Sequence, residues 1–99
     1  MGAITEGTVH LAAVYALYES GEELCVYSAG GYDLRGASAV AEGVARRMAV
    51  SPATPSHIVT VYGDVVEIRM DTRKAATIYK VAYDRSGKMI DVDYSIENW

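Results

Sequence analysis

The amino-acid sequence predicts an α+β domain in which one helix packs on one face of an antiparallel sheet of five or six strands. Three features favour this fold: strand-forming runs in both halves of the chain, a single helical pattern after residue 36, and alternation of apolar and polar residues in the last hairpin. A length of 99 residues fits a single domain, residues 1–99, with one modest hydrophobic core.

The first element is predicted to be a β-hairpin. Residues 10–18, HLAAVYALY, are apolar at both odd and even positions, so periodicity alone does not distinguish a strand from a helix. The turn-forming residues 19–22 follow, and residues 24–27 are rich in strand formers. These neighbours favour a hairpin over the alternative, an N-terminal helix. Cys25 lies in the second run and is expected to be a buried small hydrophobic residue.

The helix is predicted to start after a glycine-rich turn, within the stretch SAGGYDLRGASAVAEG at residues 28–43. Glycine allows a sharp turn at residues 30–31, and Asp33 is expected to cap the helix. One helical face carries the apolar residues Ala37, Val40, Ala41, Val44 and Met48. Gly43 is expected to let the helix lie close to the sheet, at a loss of about 1 kcal/mol of helix propensity. The prolines of residues 51–55 end the helix.

The second half of the chain is predicted to be a meander of strands. Gly63 and Asp64 separate two apolar runs and fit a two-residue hairpin loop. Residues 71–74 form the next turn, and two further runs cover residues 76–83 and 89–96.

In this last hairpin the apolar and polar residues alternate, as a sheet with one buried face requires. The inward residues are Tyr79, Val81 and Tyr83 on one strand and Ile90, Val92, Tyr94 and Ile96 on the next, whereas Lys80, Asp84, Asp91 and Asp93 point the other way.

No pattern in the sequence indicates catalysis, a metal or a cofactor. His10 and His57 belong to no spaced ligand set, and Asp91 and Asp93 are interpreted as a solvated strand face rather than a cation site. The loop at residues 30–36 has the glycine spacing of a phosphate-binding loop but lacks its lysine. A turn that starts a helix is favoured there, and a small anion or nucleotide site is the alternative. We therefore predict a protein that is not an enzyme.

Charge and aromatic content favour a protein-binding role. The net charge is −4, which is unfavourable for a domain that binds nucleic acid mainly by neutralising phosphates and suits an acidic surface that docks on a basic groove. The chain has eight tyrosines, one tryptophan and no phenylalanine, and tyrosine suits half-buried interface positions. The predicted partner-binding residues are Tyr15, Tyr18, Tyr32, Tyr62, Asp64, Glu67, Asp71, Asp91, Asp93 and Trp99.

An alternative function is nucleic-acid binding, because most of the basic residues cluster in the second half of the chain. The candidate contacts for this alternative are Arg69, Arg73, Lys74, Arg85 and Lys88.

The segment Gly31-Tyr32-Asp33, followed by the small-residue helix start at residues 37–41, resembles a stretch of small phage and plasmid accessory proteins. Leu34 stands where many of those proteins have lysine. The resemblance implies a mobile-element protein, and some small acidic proteins of this kind block host defence complexes, as anti-CRISPR proteins do. It brings no catalytic residues with it.

Taken with the acidic charge, this resemblance predicts a non-enzymatic inhibitor of a host CRISPR or nuclease complex that acts by steric or acidic-surface blockade. The N-terminal residues MGAITEG lack a basic start and an apolar run, and the apolar residues 11–17 are too few to span a membrane. We therefore expect a cytoplasmic protein with a host protein partner and no membrane partner; a homodimer is left open.

Overall fold

The structure is a computed structural model that describes residues 7–93. In chain order, this part of the protein forms β1 (Thr8–Tyr18), β2 (Glu23–Tyr32), α1 (Leu34–Val50), β3 (Ile58–Arg69), β4 (Lys74–Asp84) and β5 (Met89–Asp93). The strands make one antiparallel sheet in the order β2-β1-β3-β4-β5, and α1 packs against it. The predicted α+β fold is confirmed. No helix between residues 7 and 93 is long and apolar enough to cross a bilayer.

The predicted N-terminal hairpin is confirmed. β1 pairs with β2 on one side and with β3 on the other, so it lies inside the sheet and is apolar at most of its positions. Gly21 adopts a φ of 94° in the turn that joins β1 to β2. Cys25 lies on the edge strand β2 and is exposed, so the prediction that it is buried is wrong. An edge strand has a neighbour on one side only, which leaves its side chains less covered.

The predicted hairpin loop at Gly63 and Asp64 is wrong, because β3 runs unbroken through both residues. Gly63 pairs with Val14 on β1 and with Val81 on β4. A Cβ atom built on Gly63 would lie 2.6 Å from the carbonyl oxygen of Ala41 in the helix. Glycine is therefore required here because the helix backbone approaches the sheet closely, and not because the chain turns.

Helix α1 contacts the sheet through small residues. Asp33 caps it as predicted, since its Oδ1 accepts a hydrogen bond of 2.7 Å from the backbone N–H of Gly36. Four fully buried alanines, spaced four residues apart, face the sheet: Ala37, Ala41, Ala45 and Ala49. The helix face that packs on the sheet is therefore rotated relative to the predicted apolar face. Val40, Val44 and Met48 lie beside the buried face and are only partly buried. Gly43 is exposed, so the close approach expected of it is made by Ala41 instead.

The alternation predicted for the last hairpin is confirmed on β4 and at residues 91–93 of β5. The prediction that Ile90 points inward is wrong, because Ile90 is 51% exposed and an irregularity in the pairing places Met89 opposite Tyr83. Tyr79, Val81 and Tyr83 are buried beneath the helix, and Lys80 lies opposite Asp93 on the other face of the sheet. The last predicted strand begins at residue 89 as expected, and residues 94–96 of that prediction lie outside the described part of the chain.

The loop between α1 and β3 is fastened by one side chain, Arg85. Its Nε donates a hydrogen bond of 2.7 Å to the carbonyl oxygen of Ala49, at the end of the helix. Its two terminal nitrogens donate to four more carbonyl oxygens, those of Ser51, Thr54, Pro55 and Ile58, at 2.8 to 3.3 Å. A guanidinium has five N–H donors. Arg85 therefore uses its full donor capacity to hold this loop against the β4–β5 turn.

Candidate functional site

The candidate site is the face of the sheet that points away from α1, which we call the open face. No other helix or strand between residues 7 and 93 covers it. Strand register places two rows of side chains across its centre. One row is Ser28, Ala13, Asp64, Lys80 and Asp93, and the next is Cys25, Tyr15, Tyr62, Ala82 and Asp91. The open face thus combines tyrosines with carboxylates.

Tyr62 forms the centre of the open face. Its ring stacks on that of Tyr15 with a centroid distance of 5.2 Å, and the ammonium of Lys80 lies 4.2 Å from its centroid. Its hydroxyl donates a hydrogen bond of 2.6 Å to Glu23 Oε1. Burial, and then the bond to Glu23, raise the pKa of Tyr62, so the phenol keeps its proton. Only 6% of Tyr62 is exposed, so it offers a partner less surface than the half-buried position expected for it.

Asp64 is the most unusual group on the open face. It is half-buried, and its Oδ1 is buried without a hydrogen-bond partner among the described residues. Burial raises the pKa of Asp64; the positive charge of Lys80 opposes this shift, and the negative charge of Glu23 adds to it. A small cavity of about 240 Å³ adjoins Asp64, Lys80 and Asp93. The arrangement offers an unused acceptor to a cationic hydrogen-bond donor.

We predict that Asp64→Asn stabilises the protein at neutral pH by about 1 kcal/mol, because the variant no longer desolvates a carboxylate. The raised pKa means that the folded state retains a proton that the unfolded state has already released. The stability of the wild type should therefore fall as the pH rises from the ordinary aspartate pKa through the raised one. Urea titrations of both proteins across this range test the prediction. A wild type and variant of equal stability at every pH would contradict it.

The remaining predicted contacts are distributed over the molecule. Tyr18 lies at the end of β1 beside the ring of His57, at 5.1 Å, and Tyr32 packs against the core near the start of α1. Glu67 points to the helix side of the sheet, where its Oε2 lies 3.1 Å from His10 Nε2. Asp71 is in the β3–β4 turn and bonds the N–H of the next residue. Trp99 lies outside the described residues.

Five of the predicted contacts therefore lie together on the open face: Tyr15, Tyr62, Asp64, Asp91 and Asp93. Sequence reasoning missed Glu23 and Lys80, which complete the cluster. Nothing in the sequence near Glu23 indicated a bond to Tyr62, because the two residues are 39 positions apart.

The structure separates the basic residues of the alternative function into two groups. Arg73 and Lys74 are at the start of β4 and Lys88 is in the turn after its end, so the length of this eleven-residue strand, about 35 Å, separates the two groups. Arg69 belongs to the first group, opposite Lys74. Arg85 donates its hydrogen bonds to backbone carbonyl oxygens, so its guanidinium is not available to bind phosphates. This arrangement does not favour one continuous nucleic-acid surface.

The glycine-rich stretch at residues 30–36 forms the turn that starts the helix, as the sequence favoured. Gly30 and Gly31 are in β2, close to its end, and Gly31 adopts a φ of 88° that directs the chain towards the helix. The carboxylate of Asp33 already accepts a hydrogen bond from the N–H of Gly36, in the first turn of the helix. Any anion binding at this helix start would have to displace that carboxylate.

No three or more His, Cys, Asp or Glu side chains between residues 7 and 93 are grouped to hold a metal ion. Comparison with protein-family models, with curated protein sequences and with solved structures finds no match to this chain.

Proposed function

We propose that this protein is a non-enzymatic protein-binding domain whose open face docks on a basic surface of its partner. The observation that carries the proposal is the convergence of tyrosines and carboxylates from β1, β2, β3 and β5 on one sheet face that no other described helix or strand covers. On this face the acidic residues Glu23, Asp64, Asp91 and Asp93 outnumber the basic Lys80. The net charge of −4 is opposite in sign to a basic surface and would attract it.

The geometry of Asp64 is consistent with an arginine or lysine of the partner as its missing donor. A guanidinium that reaches Asp64 through the small cavity it shares with Asp93 would satisfy the buried Oδ1 and pair with the exposed carboxylate of Asp93, on the edge strand two positions away across Lys80. The ring of Tyr15, which is partly exposed beside Tyr62, supplies apolar area of the kind enriched in interface centres. The Oδ1 of Asp64, unpartnered within residues 7–93, lowers the stability of the free protein and would gain a donor on binding. Such a loss of stability is common at functional sites.

A groove that normally holds nucleic acid is a basic surface of this kind. We therefore propose that the partner is a host nuclease or CRISPR complex, that the protein comes from a mobile element, and that it inhibits by occupying the groove. Inhibition would then be steric and electrostatic, with no bond made or broken.

The first test measures binding of a fluorescent peptide of nine arginines by anisotropy. We expect the double variant Asp64→Asn/Asp93→Asn to weaken binding about tenfold, the loss of roughly 1.4 kcal/mol. The matched control is Glu19→Gln/Glu22→Gln, which removes the same charge from the exposed β1–β2 turn. Equal affinities of the two double variants would contradict the proposed face. A single-stranded oligonucleotide that binds tightly at low salt would favour the nucleic-acid alternative instead.

The second test measures DNA cleavage by a guide-loaded CRISPR nuclease in the presence of this protein. Inhibition that disappears in Asp64→Asn/Asp93→Asn and persists in the control variant is the expected result. Unchanged cleavage across a panel of such nucleases, together with retained binding to the arginine peptide, would restrict the proposal to a basic partner of another kind.

A further inference from the structure

A second cavity lies on the helix side of the sheet, away from the open face. It has a volume of about 560 Å³, opens to solvent, and is lined by the C-terminal half of α1, the end of β1, the starts of β2 and β3, and the loop that follows the helix. Its walls include Ala16, Val26, Val44, Met48 and Val61. Pockets for small molecules typically measure about 300–1,000 Å³ and are mostly apolar. This cavity fits both criteria.

The cavity is pre-formed, because its outer wall is rigidly fastened. Three of the five hydrogen bonds of Arg85 hold the backbone of the loop at Ser51, Thr54 and Pro55, all of which line the cavity. The small side chain of Ala53 faces the space from this loop. Leu24, on the edge strand, is 50% exposed at the cavity and offers apolar surface to an incoming molecule. A ligand would therefore not have to open the core to enter.

The polar groups around the cavity indicate the charge of the ligand. The hydroxyl of Thr54 donates to the carbonyl of Met48, and the hydroxyl of Ser51 accepts from the N–H of Ala53, so both are already engaged. Arg47 is among the residues that line the cavity, is exposed, and forms no ion pair with any residue between 7 and 93; one of its terminal nitrogens lies 3.8 Å from a Cβ built on the neighbouring Gly43, at the edge of the cavity. One cationic, bidentate donor beside an apolar pocket is complementary to a carboxylate on an apolar chain.

We propose that this cavity binds a small amphiphilic monocarboxylate, with its apolar chain between α1 and the β1–β2 hairpin and its carboxylate on Arg47. The inference is independent of the proposed protein-binding face, because the two sites lie on opposite sides of the sheet. Loss of one function therefore leaves the other measurable.

The probe is decanoate, titrated into the full chain by calorimetry, with decanol as the uncharged analogue. We expect saturable binding of one decanoate per chain and a raised melting temperature. Arg47→Gln should weaken decanoate binding about tenfold and leave decanol binding unchanged. The matched control is Arg46→Gln, which removes the same charge from the neighbouring exposed helix position. Ala53→Phe, which fills the cavity from the loop, should abolish binding of both compounds.

Absence of saturable decanoate binding at millimolar concentration would overturn the proposal. So would equal losses in Arg47→Gln and Arg46→Gln, because binding would then depend on general charge alone. If Ala53→Phe does not fold, Val44→Phe, at a partly exposed helix position, fills the same space. Sedimentation at several protein concentrations completes the test: a dimer that decanoate dissociates would show that a second copy occupies the cavity, and would also overturn the proposal.

Discussion

Replacing Arg85 by alanine is expected to lower the free energy of unfolding by about 3 kcal/mol or more, since hydrogen bonds to a charged group contribute about 1.5–3 kcal/mol each. The variant loses bonds to five carbonyl oxygens, and the partly buried ones among them are left with reduced access to water. One of these carbonyls, at Ala49, lies at the helix C-terminus, where a positive charge also stabilises the helix dipole.

Urea denaturation followed by circular dichroism measures this loss. Arg85→Lys keeps the charge but has only three donors in a different geometry, so it should recover only part of the stability. Arg46→Ala is the control for general loss of an arginine near the helix end. If Arg85→Ala were as stable as Arg46→Ala, the five bonds would contribute nothing measurable to the fold.

Gly63→Ala is expected to destabilise the protein by about 3 kcal/mol, the upper range for overpacking a core. The new Cβ would lie 2.6 Å from the carbonyl oxygen and 2.9 Å from the carbonyl carbon of Ala41. Both are backbone atoms, which cannot rotate away as a side chain can. The helix must therefore move outwards, and its four buried alanines lose their contacts with the sheet.

The matched control is Gly43→Ala, which adds the same methyl group on the exposed side of the same helix. Its Cβ would approach nothing closer than 3.8 Å, so we expect it to raise stability by about 1 kcal/mol through helix propensity. Thermal melts of the two variants should therefore shift in opposite directions. Shifts of the same sign and size would refute the close approach at Gly63.

Local patterns predicted much of the fold. The Asp33 cap and the alternation about Tyr79 and Lys80 depend on neighbours in sequence, and both are present in the structure. The turn predicted at Gly63 was wrong. A glycine followed by an aspartate occurs in hairpin turns, and here the same pair lies in a strand that the helix approaches closely. Only the position of Ala41, in another element, distinguishes these two cases.

The candidate sites were predictable to a smaller extent, because they depend on pairs that are distant in sequence. Tyr15 and Tyr62 could be selected by residue type, but their stacking follows from the pairing of β1 with β3. Arg85 was selected for its charge, and its hydrogen bonds to five backbone carbonyl oxygens were not predicted. Its carbonyl partners lie 27 to 36 positions earlier in the chain, where no side-chain pattern marks them as acceptors.

The pairing of β1 with β3 has a consequence for how the protein folds. The hairpin of β1 and β2 and the meander of β3, β4 and β5 each close over short loops, whereas the ladder between β1 and β3 joins the two ends of the chain's long central segment. Bringing β1 and β3 together costs more chain entropy than closing any of the short hairpin loops. Proteins with many contacts between residues distant in sequence also fold slowly. The encounter of these two preformed halves should therefore be the rate-limiting step, with α1 ordered between them as they meet.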